Sequence, residues 1–254
     1  MSRSIGFLIA AAMLLTALPA HAMTVFTVGV EDIRYYPHYT THHGIYTGFS
    51  RAVLDDFARE RGYRFEYIPL PVLRLYRQFL HGDTLDFKYP DNAQWQQTLR
   101  RGDTVYYSDP LAMARDGVIV LPTRETMHLN QLKRLGTVRG FTATRYENEI
   151  RHGKVHLSMS DDFSDLMNMV REGRVDGGFG SLAVARYQLE HILKNPRALH
   201  FAPNLPYTVV GFRLSTRRHP EIIRELNDYL LRHADRLRLL RRQYGIDPPG
   251  RTRQ

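Results

Sequence analysis

Residues 49–70 read FSRAVLDDFARERGYRFEYIPL. Phe49, Val53, Leu54 and Phe57 recur at spacings of three and four, the period of a helix with one apolar face. Ser50 stands near its start and Gly62 supplies its stop. Beyond Gly62 the period changes to two, with aromatics at 63, 65 and 67, so 63–70 is predicted as a strand. Working outward, TVFTVGV (24–30) is an apolar, β-branched strand, VLRLYRQFLHGD (72–83) a short helix closed by Gly82, and LDFKY (85–89) another strand. The order strand, helix, strand, helix, strand predicts a parallel sheet covered by helices.

The remainder repeats the alternation. Strands are expected at 116–122, 136–140 and 206–215, and a strand or turn with three glycines at 174–181. Helices are expected at 125–136, at 160–174 with acids in its first turn, at 181–193 from Ser181, and as one long C-terminal helix; 141–150 has a polar helix start. The fold class read from this order is α/β: two units, each a mostly parallel sheet flanked by helices, the second inserted into the first.

Residues 1–22 combine Arg3, an apolar run from Ile5 to Leu18 and Ala20-His21-Ala22, which reads as a signal peptide cleaved before Met23. The expected location is therefore the periplasm. No later segment approaches the ~18 apolar residues of a membrane span. The chain has no cysteine, so the exported protein relies on its core rather than on disulfides. The net charge of +9 is densest between Arg213 and Arg253, where Ile222, Ile223, Leu226, Leu230, Leu237 and Leu240 keep helical spacing and arginines form the outer face. No nucleic-acid-binding motif is present. Of the twelve histidines, His38, His42 and His43 are expected as solvated loop residues, and His42-His43 lacks a helical His-x-x-x-His partner. No cofactor and no metal are expected.

The stretch LDFKYPDNAQW (85–95) begins as a buried strand and ends on a cation, aromatics and the single tryptophan. At the carboxyl edge of a parallel sheet, where ligands of open α/β sheets bind, Lys88, Tyr89, Asp91, Asn92 and Trp95 are candidate ligand residues, with Pro90 expected to end the strand.

In chain order, VGVEDIRYYPHY (28–39), GIYTGFSRAVLDDFARERGYRFEYIPLP (44–71), HGDTLDF (81–87), VYYSDPL (105–111), LGTVRGFT (135–142) and RVDGGFGSLAVARYQL (174–189) resemble the family 3 extracellular solute-binding proteins. The resemblance implies lobe 1 at 23–117 plus 210–254 and lobe 2 at 120–207, joined by two crossings near 117–122 and 205–211, with ligand bound between lobes that close by hinge motion. It implies ligand contacts from Tyr36 before Pro37, from Arg101 or its neighbour Arg100 to a carboxylate, and from Phe141 and Thr142 at a lobe 2 helix start. Gly180 and Ser181 match a site segment, but Ser181 stands where the family's amino-acid binders have an aspartate for the α-ammonium, and Val72-Leu73 lack a second stacking ring.

The expected function is capture of a small polar ligand, anionic or amino-acid-like, by a monomer serving an ABC transporter permease or a sensor protein. The alternative is a periplasmic dehydratase of the cyclohexadienyl or arogenate type, for which Asp91 and Glu147 are the candidate acids. A third reading is a sensor or cell-wall accessory module.

Overall fold

The computed structural model describes residues 23–100, 102 and 104–246. The signal-peptide reading of 1–22 therefore lies outside the described residues, as does Arg101.

In chain order the elements are β1 (Thr24–Glu31), β2 (Arg34–Tyr35), β3 (Tyr39–His42), β4 (Ile45–Thr47), α1 (Phe49–Arg61), β5 (Tyr63–Leu70), α2 (Val72–His81), β6 (Phe87–Asp91), β7 (Tyr106–Tyr107), β8 (Ala112–Val120), β9 (Arg134–Val138), α3 (Glu147–Arg151), β10 (His156–Ser160), α4 (Phe163–Arg171), β11 (Gly177–Ser181), α5 (Leu182–Tyr187), β12 (His200–Phe201), β13 (Thr208–Thr216), α6 (Pro220–Arg232) and α7 (Ala234–Gln243).

The main sheet runs β10-β9-β11-β8-β13-β6-β1-β5, with β7 on β13 and β12 on β8. At one end β5, β1 and β6 are parallel; at the other so are β11, β9 and β10. Between them β8 and β13 pair antiparallel from Thr208–Asp116 to Phe212–Ala112. The helix–strand expectation for 49–70 holds. Val53, Leu54 and Phe57 are buried under α1, and α1 ends at Gly62 in the left-handed conformation, φ 71°, its N–H returning to Ala58 and Arg59.

Several segments differ from expectation. Residues 125–136 do not form the expected α-helix: they pass through a short 3-10 segment at Leu129–Gln131 and enter β9 at Arg134. The backbone N–H groups of Lys133 and Arg134 donate to Asp176 at 2.9 and 2.8 Å, pinning the start of β9 as extended chain. The helix expected from 141 begins only at Glu147. The helix from Ser181 gives way to a wide π turn over Gln188–Ile192, and the C-terminal helix divides at His233 into α6 and α7. Pro90 does not end its strand. It lies inside β6, beside a register shift between Arg213 and Ser215 of β13, where a missing N–H costs no ladder bond.

Residues 34–47, read as loop, form a small antiparallel sheet of β2, β3 and β4. It is docked to α1 through Ser50, whose N–H and hydroxyl both donate to the His38 carbonyl, at 3.0 and 2.7 Å. Gly48 makes this possible. Its φ is 108°, and a Cβ there would lie 2.7 Å from Tyr39 Cα, backbone that cannot yield. Gly48→Ala is expected to destabilise the protein by about 1–3 kcal/mol in urea denaturation; a change of under about 0.5 kcal/mol, the surface-substitution range, would contradict this account.

Candidate functional site

The strands that run parallel end on one side of the molecule, and a cavity opens there. β1 delivers Glu31, β11 delivers Phe179 and Gly180, and the turn after β9 delivers Gly140, Phe141 and Thr142. β2 and β3 add Tyr35 and Tyr39, α2 adds Tyr76, the segment after β6 adds Trp95, and β8 and β13 add Asp116 and Phe212. Side chains nearly fill it. The solvent-sized space is about 30 Å³, room for roughly one or two waters.

The walls come from both ends of the sheet and touch each other. The Ser181 N–H donates to the Tyr35 hydroxyl at 2.9 Å, and His38 Nε2 lies 3.2 Å from Ser181 Oγ. Gln96 Nε2 donates to the Gly140 carbonyl at 2.8 Å, and Arg34 pairs with Asp162 at 2.6 Å. Tyr35 meets Phe141 and Phe163 edge-on, each at 5.3 Å. Gly140 (φ 90°) packs so close to α2 that a Cβ would lie 2.9 Å from Val72 Cβ.

Two carboxyl groups face the cavity. Glu31 is 2% exposed and accepts a hydrogen bond from the Tyr39 hydroxyl; burial lifts its pKa to about 7 against the pull of Lys88. Asp116 is 9% exposed, its Oδ1 has no hydrogen-bond partner, and burial raises its pKa to about 7. Among the described lining residues none is basic.

Behind Tyr76 lies a buried ionic cluster. Asp91 accepts from Arg100, from Lys88 Nζ at 3.3 Å, from Ser215 Oγ at 2.5 Å and from the Asn92 N–H at 2.8 Å. Lys88 is fully buried, donates to the Pro90 carbonyl at 2.5 Å, and sits 3.9 Å from the Tyr76 ring centre. Burial lowers its pKa despite Asp91 and Glu31. Arg100 also donates to the Tyr107 hydroxyl and the Trp95 carbonyl, each at 2.9 Å.

Of the sequence candidates, Trp95, Phe141, Thr142 and Gly180 line the cavity. Thr142 does so from a turn, five residues before α3, so it offers no helix N-terminus. Ser181 lies just behind the wall. Lys88, Tyr89 and Asp91 are buried in β6, and Asn92 donates to the Gly211 carbonyl at 3.0 Å. Tyr36 packs instead on Tyr187 and Tyr244, at 4.4 and 6.1 Å, because the inward position of β2 belongs to Tyr35. Glu147 is exposed. His38, expected in solvent with His42 and His43, is fully buried and neutral; loss of hydration lowers its pKa to about 3. Sequence reasoning missed Glu31, Tyr35, Tyr39, Tyr76, Asp116, Phe179 and Phe212. An acid ending the apolar β1 strand was the available signal for Glu31.

No family model matches the chain, and no curated protein matches it. Solved structures do. An ancestral arginine-binding protein bound to arginine is 18% identical, with a TM-score of 0.69 over 88% of this chain and 99% of that one. The periplasmic VFT2 domain of Bordetella pertussis BvgS is 20% identical, with a TM-score of 0.66 over 87% and 93%. An ancestral amino-acid-binding protein, a precursor of cyclohexadienyl dehydratase, is 18% identical, with a TM-score of 0.66 over 87% and 95%. At these identities the likeness is one of fold, and the chain has the two-lobe α/β fold of the periplasmic binding proteins.

Proposed function

We propose that this protein is a periplasmic solute-binding protein that captures a small polar ligand between lobe 1 (23–117 and 210–254) and lobe 2 (120–207). β8 and β13 are the crossings about which the lobes open and close. A permease of the ABC type or a sensor protein receives the closed form, and the protein acts as a monomer. One observation carries this reading: the cavity lies at the carboxyl ends of the parallel strands, with walls drawn from both lobes. A thermal-shift screen of amino acids, dicarboxylates, polyamines and aromatic acids tests it. One class is expected to raise the melting temperature, with about 2.7 kcal/mol of added stability at a hundredfold excess over Kd. No shift from any class would refute the reading.

The dehydratase alternative gains one specific observation. Glu31 and Asp116, rather than Asp91 or Glu147, are carboxyls held near pKa 7 beside the cavity, suited to protonate a leaving hydroxyl. Incubation with prephenate is expected to yield no phenylpyruvate; turnover lost in Glu31→Gln would establish the enzyme instead.

A further inference from the structure

Of the twelve described residues lining the cavity, seven are aromatic, two are carboxylic acids and none is basic. Both acids are withdrawn from water, and neither is paired with a basic side chain by a salt bridge among the described residues. Asp116 goes further: its Oδ1 is buried and accepts no hydrogen bond from the described residues. An unpartnered carboxylate oxygen at a cavity wall asks for a donor that the protein does not supply. Ring faces beside it attract positive charge, most strongly where water is excluded.

Among the described residues, two of the cations expected to hold a ligand carboxylate are otherwise engaged. Arg100 and Lys88 are both bound to Asp91, behind Tyr76. The position of Asp116 also bears on the missing ammonium partner. In the antiparallel pairing of β11 with β8, Asp116 stands directly opposite Ser181. Residues directly opposite in such a pair project to the same face. The carboxyl group absent at 181 is thus present one strand away.

Building on the solute-binding reading, we propose that the ligand is an organic cation with N–H donors at its charged end, an alkylammonium or guanidinium lacking an α-carboxylate, caged by rings such as Tyr35, Tyr76, Trp95 and Phe212 and held by Asp116 with Glu31. The present space of about 30 Å³ matches an ammonium head group. Admission of the rest of the molecule requires the lobes to part. Binding turns each acid from a buried neutral carboxyl into the partner of a charge.

Matched pairs test this by calorimetry: agmatine against arginine, cadaverine against lysine, tyramine against tyrosine. Members of a pair differ in the α-carboxylate alone. At least one amine is expected to bind ten or more times tighter than its amino acid, and choline, which has no N–H at its charged end, to bind more weakly than that amine. Asp116→Asn is expected to weaken the amine about a hundredfold while keeping the fold, since no protein hydrogen bond to Oδ1 is lost; circular dichroism and the melting temperature check the latter. Trp95→Leu is the second variant, with at least a tenfold loss expected. Tighter binding of an amino acid or dicarboxylate, or unchanged amine affinity in both variants, overturns the cation assignment and leaves the solute-binding reading standing. Failure of every amine, amino acid and dicarboxylate to bind overturns both.

Discussion

Asp91→Ala lowers the stability of the protein by about 3–5 kcal/mol, the range for removing one partner of a buried ion pair. Asp91 is the only acid bonded to the buried Lys88 and Arg100 among the described residues, and both of its oxygens are used. Without it, two cations stay in a wall that excludes water. Burial already lowers the pKa of Lys88, and Asp91 is the first of the forces opposing that, so its removal lowers it further. Arg100 cannot respond in this way, since a guanidinium holds its proton at any working pH. Adding Lys88→Met to Asp91→Ala is expected to recover part of the loss, because one orphaned cation becomes an apolar side chain of similar length. Urea denaturation measures both. An Asp91→Ala protein within about 1 kcal/mol of the parent, the value of an exposed pair, would show the cluster to be wetter than described.

The second large effect is on pH. Glu31 and Asp116 have folded pKa values near 7, above the 4.5 and 3.8 of the exposed groups. Their contribution to stability is complete below the unfolded values and is lost as pH rises through about 7. His38 runs the other way. Its pKa falls from 6.5 to about 3, so its contribution is present above 6.5 and lost as pH falls toward 3. Between about pH 5 and 6.5 two acids oppose one histidine, and from 6.5 to 7 the acids act alone. Each uncompensated group contributes about 1.4 kcal/mol per pH unit. Thermal unfolding without ligand is therefore expected to shift to lower temperature as pH rises from 5 to 7.5.

Glu31→Gln isolates one of the two acids. Glu31 faces the Tyr39 hydroxyl and the charges of Lys88 and Asp91, and Asp116 faces Tyr35. The glutamine carbonyl can still accept from Tyr39, so the variant is expected to match the parent at pH 5 and exceed it in melting temperature at pH 8. A parent whose melting temperature is flat over this range would place both carboxyls in contact with water.

The local patterns were legible because they are local. The three–four spacing of Phe49, Val53, Leu54 and Phe57, the glycine at 62 and the alternation over 63–70 act within a few residues, and α1 and β5 follow from them. Trp95 was traceable for a related reason, since it follows a strand whose carboxyl end had to face one side, while Phe141, Thr142 and Gly180 came from the resemblance to solute-binding proteins. What failed depended on partners far along the chain. Residues 125–136 have helical composition, but Asp176 holds Lys133 and Arg134 in a strand. His38 looked like loop because only the docking of Ser50 and Ser181 around it shows that it is buried. Lys88 and Asp91 lie three apart, which in a regular strand puts them on opposite faces, and the register shift beside Pro90 accompanies their meeting.

The sequence by itself determined the alternation of strands and helices, and with it the parallel halves and the edge at which a cleft must lie. Only the tertiary structure decided the charge of that cleft. Lys88, read from the sequence as a ligand residue, is paired with Asp91 behind Tyr76, while Glu31 and Asp116, inconspicuous in their strands, are the ionisable groups left facing inward. A side chain's effective charge is set by which neighbours and how much water surround it, and the fold alone brings Lys88 beside Glu31 and Ser215 beside Asp91.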